Sequence, residues 1–223
     1  MNIIYEKMML GVFFVALLFV IYSLYDTWYV YANAGDRSYM RYKPGVANEA
    51  EMDKSPLTSD VVGWITIDGT GIDYPIMQGE DNLEYLNLDP YGAYSLSGSI
   101  FLDCRSSKDF SDPYSIIYGH HMEYGKMFGN LDDFLDPDYL SSHEEGTLYV
   151  GRDGKSICKL KLFGAILCDA GDETVFKCGS DSTIQDLPVK TDPDLSSRVL
   201  ALSTCTGDIS TTRVVVFAYI MDM

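Results

Sequence analysis

Positive charge is what this sequence has least of. It carries 16 Lys and Arg against 33 Asp and Glu, a formal net charge of −17 over 223 residues. Phosphate backbones are gripped by clustered cations, so this balance argues against nucleic acid as a partner. It leaves a well-solvated acidic surface, or a field that steers a cationic substrate. Cysteine pairs at redox or metal spacing are also missing. The five cysteines, at 104, 158, 168, 178 and 205, form no CxxC, and no Cys/His spacing resembles a zinc site. The acidic pairs Asp132-Asp133 and Glu144-Glu145 lack the ordered ligands of a calcium loop, so no metal and no cofactor is expected. Five is an odd count. An exported chain therefore keeps at least one thiol unpaired or bridged to another chain, whereas reducing surroundings leave all five free. No repeat or low-complexity tract is present, and 47% hydrophobic with 22% charged residues is an ordinary globular composition.

One long apolar run is present. Met8–Tyr25, MMLGVFFVALLFVIYSLY, holds no charge and no proline. As a helix it spans about 27 Å, close to the ~30 Å hydrocarbon core of a bilayer. Tyr22, Tyr25, Trp28, Tyr29 and Tyr31 add an aromatic cluster suited to the membrane interface. A cleaved signal peptide is the competing reading, because Ala32-Asn33-Ala34 is an A-x-A match. That tripeptide lies well past an apolar run already longer than a signal peptide needs, so a retained anchor over 1–25 is expected. For orientation, Lys7 precedes the run while Arg37, Arg41 and Lys43 follow it, a bias that favours placing the following domain inside. Only the chemistry further along argues for an external domain.

Residues 26–58 are polar and mixed, with Pro44, Gly45 and Pro56, and read as a juxtamembrane helix and spacer. From residue 59 to 223 the pattern changes to short β-like runs. Strands are expected at Val61–Ile67, Ile72–Gln78, Gly98–Asp103, Tyr114–Gly119, Thr147–Val150, Ser156–Cys168, Arg198–Thr204 and Arg213–Met221. Gly151-Arg152-Asp153-Gly154 reads as a hairpin connection. Helices are expected at Asp81–Asn87, at Met122–Leu135 from its Met127/Leu131/Phe134/Leu135 spacing, and around Ser182–Leu187. About eight short strands with a few helices favour a closed β-barrel or sandwich over a βαβ fold.

Three residues at strand ends carry the chemistry. Cys205 closes the run Val199–Thr204, and a polar loop follows at once. Taken alone, such a cysteine is more often a buried small hydrophobe, as expected for Cys158 and Cys168. Ile116-Ile117-Tyr118-Gly119-His120-His121 is a second apolar strand ending in glycine and two of only three histidines. A histidine beside a strand-terminal cysteine is the arrangement that thiol activation requires. Arg213 follows Cys205 by eight residues, and the short connection Thr206–Thr212 returns it towards the cysteine. Its permanent charge suits an oxyanion.

Together these residues resemble the sortases, whose signature is a TLxTC strand end with a downstream Arg and an upstream Gly-His. Here it reads Ala201-Leu202-Ser203-Thr204-Cys205, Arg213 and Gly119-His120. Asp60-Val61-Val62-Gly63-Trp64-Ile65, Tyr74-Pro75-Ile76-Met77-Gln78-Gly79, Gly98-Ser99-Ile100-Phe101-Leu102-Asp103 and Tyr118-Gly119-His120-His121-Met122 with Met127-Phe128-Gly129 are similar to class B members from about residue 60 onward. Ala201 stands where the signature often has Thr, and Cys104 stands where an aromatic is usual.

The resemblance implies a closed sortase-type β-barrel behind an N-terminal transmembrane helix. It implies a single-pass membrane protein of a Gram-positive cell with an extracellular catalytic domain. Cys205 would be the nucleophile, His120 the acid/base and Arg213 the oxyanion stabiliser. The family's Gly-His maps onto His120, and on an extended backbone His121 points the opposite way. His143, in the Ser-Ser-His-Glu-Glu loop, is expected at the surface. Asn82, Leu86, Tyr118, Ser203 and Thr204 would contact substrate, and the loop over about 169–197 would wall the site. The implied partners are secreted proteins with a C-terminal sorting signal, cleaved after Thr, and a peptidoglycan precursor amine. A pilus polymerase using a pilin lysine shares every catalytic residue, and a silent wall-binding module is the non-enzymatic alternative. A cysteine hydrolase usually places Cys before His at a helix start, unlike this order.

Overall fold

The computed structural model describes residues 3–34, 36–180, 182–192, 196–205 and 211–223, apart from the side chains of Val30, Tyr31, Asn33, Ala34, Glu49 and Cys205. The chain forms two compact units, Met1–Asp36 and Arg37–Met223. The first is a single helix, α1 (Ile3–Ala34), whose stretch Ile3–Tyr29 is long and apolar enough to cross a membrane. The helix continues past Tyr25 because residues 26–34 contain neither proline nor glycine.

The second unit is a closed barrel of eight strands: β1 (Val61–Ile67), β2 (Asp73–Met77), β3 (Ile100–Leu102), β4 (Tyr114–Tyr118), β5 (Glu145–Val150), β6 (Ser156–Asp169), β7 (Val199–Cys205) and β8 (Thr212–Asp222). Their order around the barrel is β1-β2-β3-β4-β7-β8-β6-β5. Only the pairs β2–β3 and β4–β7 are parallel. Leu200 and Leu202 of β7 join Ile117, Val214 and Val216 in the main core. The alternate residues Val199 and Ala201 join Ile116, Val215 and Phe217 in a second cluster, capped by Val175, Ile184 and Leu187 from the β6–β7 connection. With both faces covered, β7 reads as an unbroken apolar run rather than an alternating one.

The segment expected as a spacer is part of this unit from Arg37 onward. Tyr39 and Tyr42 are buried in the main core, and the Tyr39 ring lies 5.8 Å from that of Trp64. Lys43 Nζ donates to Asp73 Oδ2 at 2.9 Å. A short helix, α2 (Glu49–Asp53), starts on a capping box formed by Asn48 and Glu51.

Met122–Leu135 is not one helix. It forms 3-10 turns at Glu123–Gly125 and Leu131–Leu135 around left-handed residues Tyr124 (φ 60°) and Met127 (φ 52°). Any side chain at Gly129 would run into the Met122 carbonyl, so the chain doubles back there and buries Met127, Leu131 and Phe134 without helical continuity. The helices expected at Asp81–Asn87 and Ser182–Leu187 shrink to 3-10 turns at Glu84–Leu86 and Ile184–Asp186. Two short helices were not expected. Both α3 (Pro137–Ser142) and α4 (Glu173–Phe176) begin on Asp caps, Asp136 and Asp172.

Candidate active site

The site grows out of the parallel pair β4–β7. Tyr118 pairs with Ser203 in register, and Gly119 N donates to Ser203 O at 3.2 Å. Thr204 Oγ1 donates back to Gly119 O at 2.8 Å. One residue further along come His120, two positions past the end of β4, and Cys205, the last residue of β7. Glycine is required between Tyr118 and His120, because a Cβ there would come within 2.8 Å of Phe128 Cδ2 and closer still to Ile100 Cδ1. On the other side of β7, the antiparallel register of β8 sets Arg213 directly opposite Cys205. The Cys205 side chain and residues 206–210, most of the expected Thr206–Thr212 connection, lie outside the described residues.

On β7, residues 199, 201 and 203 share the outward face. The β6–β7 connection covers the first two, and beyond its edge a cavity of about 300 Å³ opens. Asn82, Leu86, Tyr118, His120, Ser203, Thr204 and Arg213 all line it, so the residues singled out from the sequence converge on one place. Phe101, Ala170 and Phe176 line it too and were not singled out, although Ala170 and Phe176 fall within the loop expected as a wall. Ser203 Oγ is buried and has no hydrogen-bond partner among the described residues.

His120 is half-buried, with Nε2 2.9 Å from the Leu86 carbonyl oxygen. A carbonyl only accepts, so Nε2 carries a hydrogen, and Nδ1 is the ring atom left to take up and release a proton. His121 turns elsewhere and pairs with Asp132 Oδ2 at 2.9 Å. His143 is not a free surface residue. It ends α3 and stacks on Tyr139 with ring centroids 4.0 Å apart.

Around the cavity, Asn82 Nδ2 and Tyr118 Oη both donate to Asp103 Oδ2, at 2.9 and 3.0 Å. Burial favours the neutral form of Asp103, but hydrogen bonds from Arg105 and Tyr118 outweigh it and hold the carboxyl at about 2. Burial and the Asp103 charge push the Tyr118 hydroxyl well up. Cys168, the register partner of Arg213 on β6, has its thiol raised to about 11 by burial and Asp172, against the opposing charge of Arg213. Burial lifts Cys178 to about 11 as well and raises Cys158. Such thiols stay protonated near neutral pH and are poor nucleophiles. No group of three or more His, Cys, Asp or Glu side chains able to hold a metal occurs among the described residues.

The Sortase domain family model matches residues 65–221. Sortase B of Staphylococcus aureus is 32% identical over 178 residues, 74% of this chain and 72% of that protein. Sortase B of Listeria monocytogenes is 43% identical over 99 residues, 44% of this chain and 40% of that protein. Among solved structures, the complex of S. aureus sortase B with its substrate has a TM-score of 0.67 at 27% identity, covering 83% of this chain and 88% of that one. A Streptococcus pyogenes class B sortase involved in pilus biogenesis has a TM-score of 0.64 at 36% identity, covering 78% of this chain and 97% of that one. The chain belongs to the sortase family of cysteine transpeptidases, in its class B branch.

Proposed function

We propose that this protein cleaves a C-terminal sorting signal after Thr in exported proteins and joins the new acyl end to an amine of the cell-wall precursor. The carrying observation is the single cavity that His120 and Arg213 share with Ser203 and Thr204, with Cys205 next on β7 and in register with Arg213.

In this reading the Cys205 thiolate attacks the Thr carbonyl carbon, and the carbonyl oxygen becomes an oxyanion beside the Arg213 guanidinium. His120 gives a proton to the departing amine, leaving a thioester on Cys205. The incoming amine attacks the thioester, His120 takes its extra proton, and the thiolate is released. The Leu86 carbonyl holds the Nε2–H in place throughout, which leaves Nδ1 to pass the proton. Asn82, Leu86, Tyr118, Ser203 and Thr204 contact the peptide, and the buried Ser203 hydroxyl gains its missing partner from the bound backbone. The helix Ile3–Tyr29 anchors the enzyme in the membrane, with the catalytic unit outside, where exported proteins are found.

A second reading makes the acceptor a pilin lysine. It is favoured by the 36% identity to the S. pyogenes enzyme involved in pilus biogenesis. Both are tested by incubating the detergent-solubilised protein with Thr-centred sorting peptides plus either triglycine or a lysine peptide. Mass spectrometry then identifies which amine is joined. Amine-linked product is expected, and its identity chooses between the two readings. Release of hydrolysed peptide alone, with either amine present, would contradict transpeptidation.

A further inference from the structure

We propose that Asp103 is the positioning residue of the peptide cleft, holding Tyr118, Asn82 and, through Arg105, the Phe176 wall in register without touching the peptide. The proposal rests on the reading of the cavity as that cleft.

Asp103 directly follows β3 and is locked to β4, its backbone N donating to Ile116 O at 2.9 Å. It is 0% exposed and does not line the cavity. The groups hydrogen-bonded to its carboxylate are donors, and the Cys178 thiol, raised by burial and the Asp103 charge, also lies against it. Oδ1 accepts from Arg105 N at 2.9 Å and Arg105 Nε at 2.8 Å. Oδ2 accepts from Arg105 Nη2 at 2.7 Å, as well as from Tyr118 Oη and Asn82 Nδ2. Asn82, in the bend before Glu84–Leu86, and Tyr118, at the end of β4, are joined through this one oxygen. The Asn82 amide is fixed from its other end, where Oδ1 accepts from Cys104 N at 2.8 Å. Arg105 Nη2 also donates to Phe176 O at 3.0 Å, which ties the facing wall to the same carboxylate.

A buried carboxylate is costly unless its oxygens are satisfied, and this one is met by a two-pronged guanidinium. The chemistry calls for an acceptor alone. Asparagine has the same shape, yet its NH2 would face a donor on one side. Asp103→Asn therefore releases at least one of Tyr118, Asn82 or Arg105, while Cys205, His120 and Arg213 keep their strand register.

The test uses full-length protein in detergent. Peptide KM and kcat, the rate of Cys205 alkylation by iodoacetamide, and the melting temperature are measured for wild type, Asp103→Asn, Tyr118→Phe and the double variant. The expected result for Asp103→Asn is a KM raised about tenfold, with kcat and alkylation rate close to wild type. The double variant is expected to be less than additive, because both changes act on one hydrogen bond. Unchanged KM, or additive effects, would overturn the proposal, as would kcat, alkylation and melting all falling together. If Asp103→Asn does not fold, Arg105→Gln, at a half-exposed side chain, provides the same split: raised KM at steady kcat supports the proposal, and unchanged KM overturns it. Failure of wild type to cleave any sorting peptide would instead remove the cleft reading itself.

Discussion

At the scale of single residues, the two adjacent histidines are distinguished by what accepts from them. His120 is tethered to a backbone carbonyl inside the cavity and His121 to a surface aspartate. His120→Ala is therefore expected to lower peptide cleavage by a factor of about 10² or more, and His121→Ala to stay within a few-fold, read as initial rates on a fluorogenic sorting peptide. The reverse outcome would reassign the acid/base. The cysteines separate in the same way. Cys104 is exposed, while Cys158 and Cys178 are buried with raised thiols. Brief alkylation at neutral pH should label Cys104 and leave Cys158 and Cys178 unlabelled until the protein unfolds, as peptide mapping by mass spectrometry will show. Gly119→Ala pushes a methyl into Phe128 and Ile100. Overpacking of this kind costs about 1–3 kcal/mol, so a lower melting temperature and slower cleavage are expected together.

At the scale of elements, the strands were readable from the sequence and most of the helices were not. Each apolar run bounded by turn residues became a strand, and β1 matches its expected limits, Val61–Ile67. Met122–Leu135 misled because its apolar spacing fits a helix equally well. Only the close approach of Gly129 to the Met122 carbonyl and the left-handed turn at Tyr124 and Met127 exclude one. The residues that share the cavity were singled out where they lie at or near strand ends, as Tyr118, His120, Ser203 and Arg213 do. Asp103 was not, because its role depends on side chains far apart in sequence meeting at one carboxylate. The second hydrophobic cluster was equally hidden, since the polar 171–197 stretch does not announce that Val175, Ile184 and Leu187 cover β7. Truncating Ile184 to Ala should cost about 2–4 kcal/mol and speed amide hydrogen exchange in the β6–β7 connection more than in β1 and β5. Equal protection in all three would mean that this wall does not rest on its own core.

At the scale of the whole molecule, the boundary between the helical unit and the barrel unit lies at Asp36/Arg37. A chain starting at Arg37 is expected to be soluble and stable. One starting at Ser59 loses Tyr39, Tyr42 and Leu57 from the main core and should melt at a clearly lower temperature. Matching melting curves would show that residues 37–58 are a mere spacer. Acid provides a second global probe. Asp103 is held at about 2, below the ordinary carboxyl value near 4. Its stabilising contribution is complete above about pH 4 and is lost as pH falls towards 2. Asp103→Asn should therefore flatten the stability loss in that window, as read by denaturant unfolding at stepped pH.

The most direct measurement on the whole enzyme is the intact mass of the protein trapped during turnover of a sorting peptide without an amine acceptor. The account predicts a thioester adduct with the mass of the peptide fragment ending in Thr, mapped to Cys205 and absent from Cys205→Ala, which also fails to cleave. Cleavage that persists in Cys205→Ala, or an adduct on any other cysteine, would contradict it.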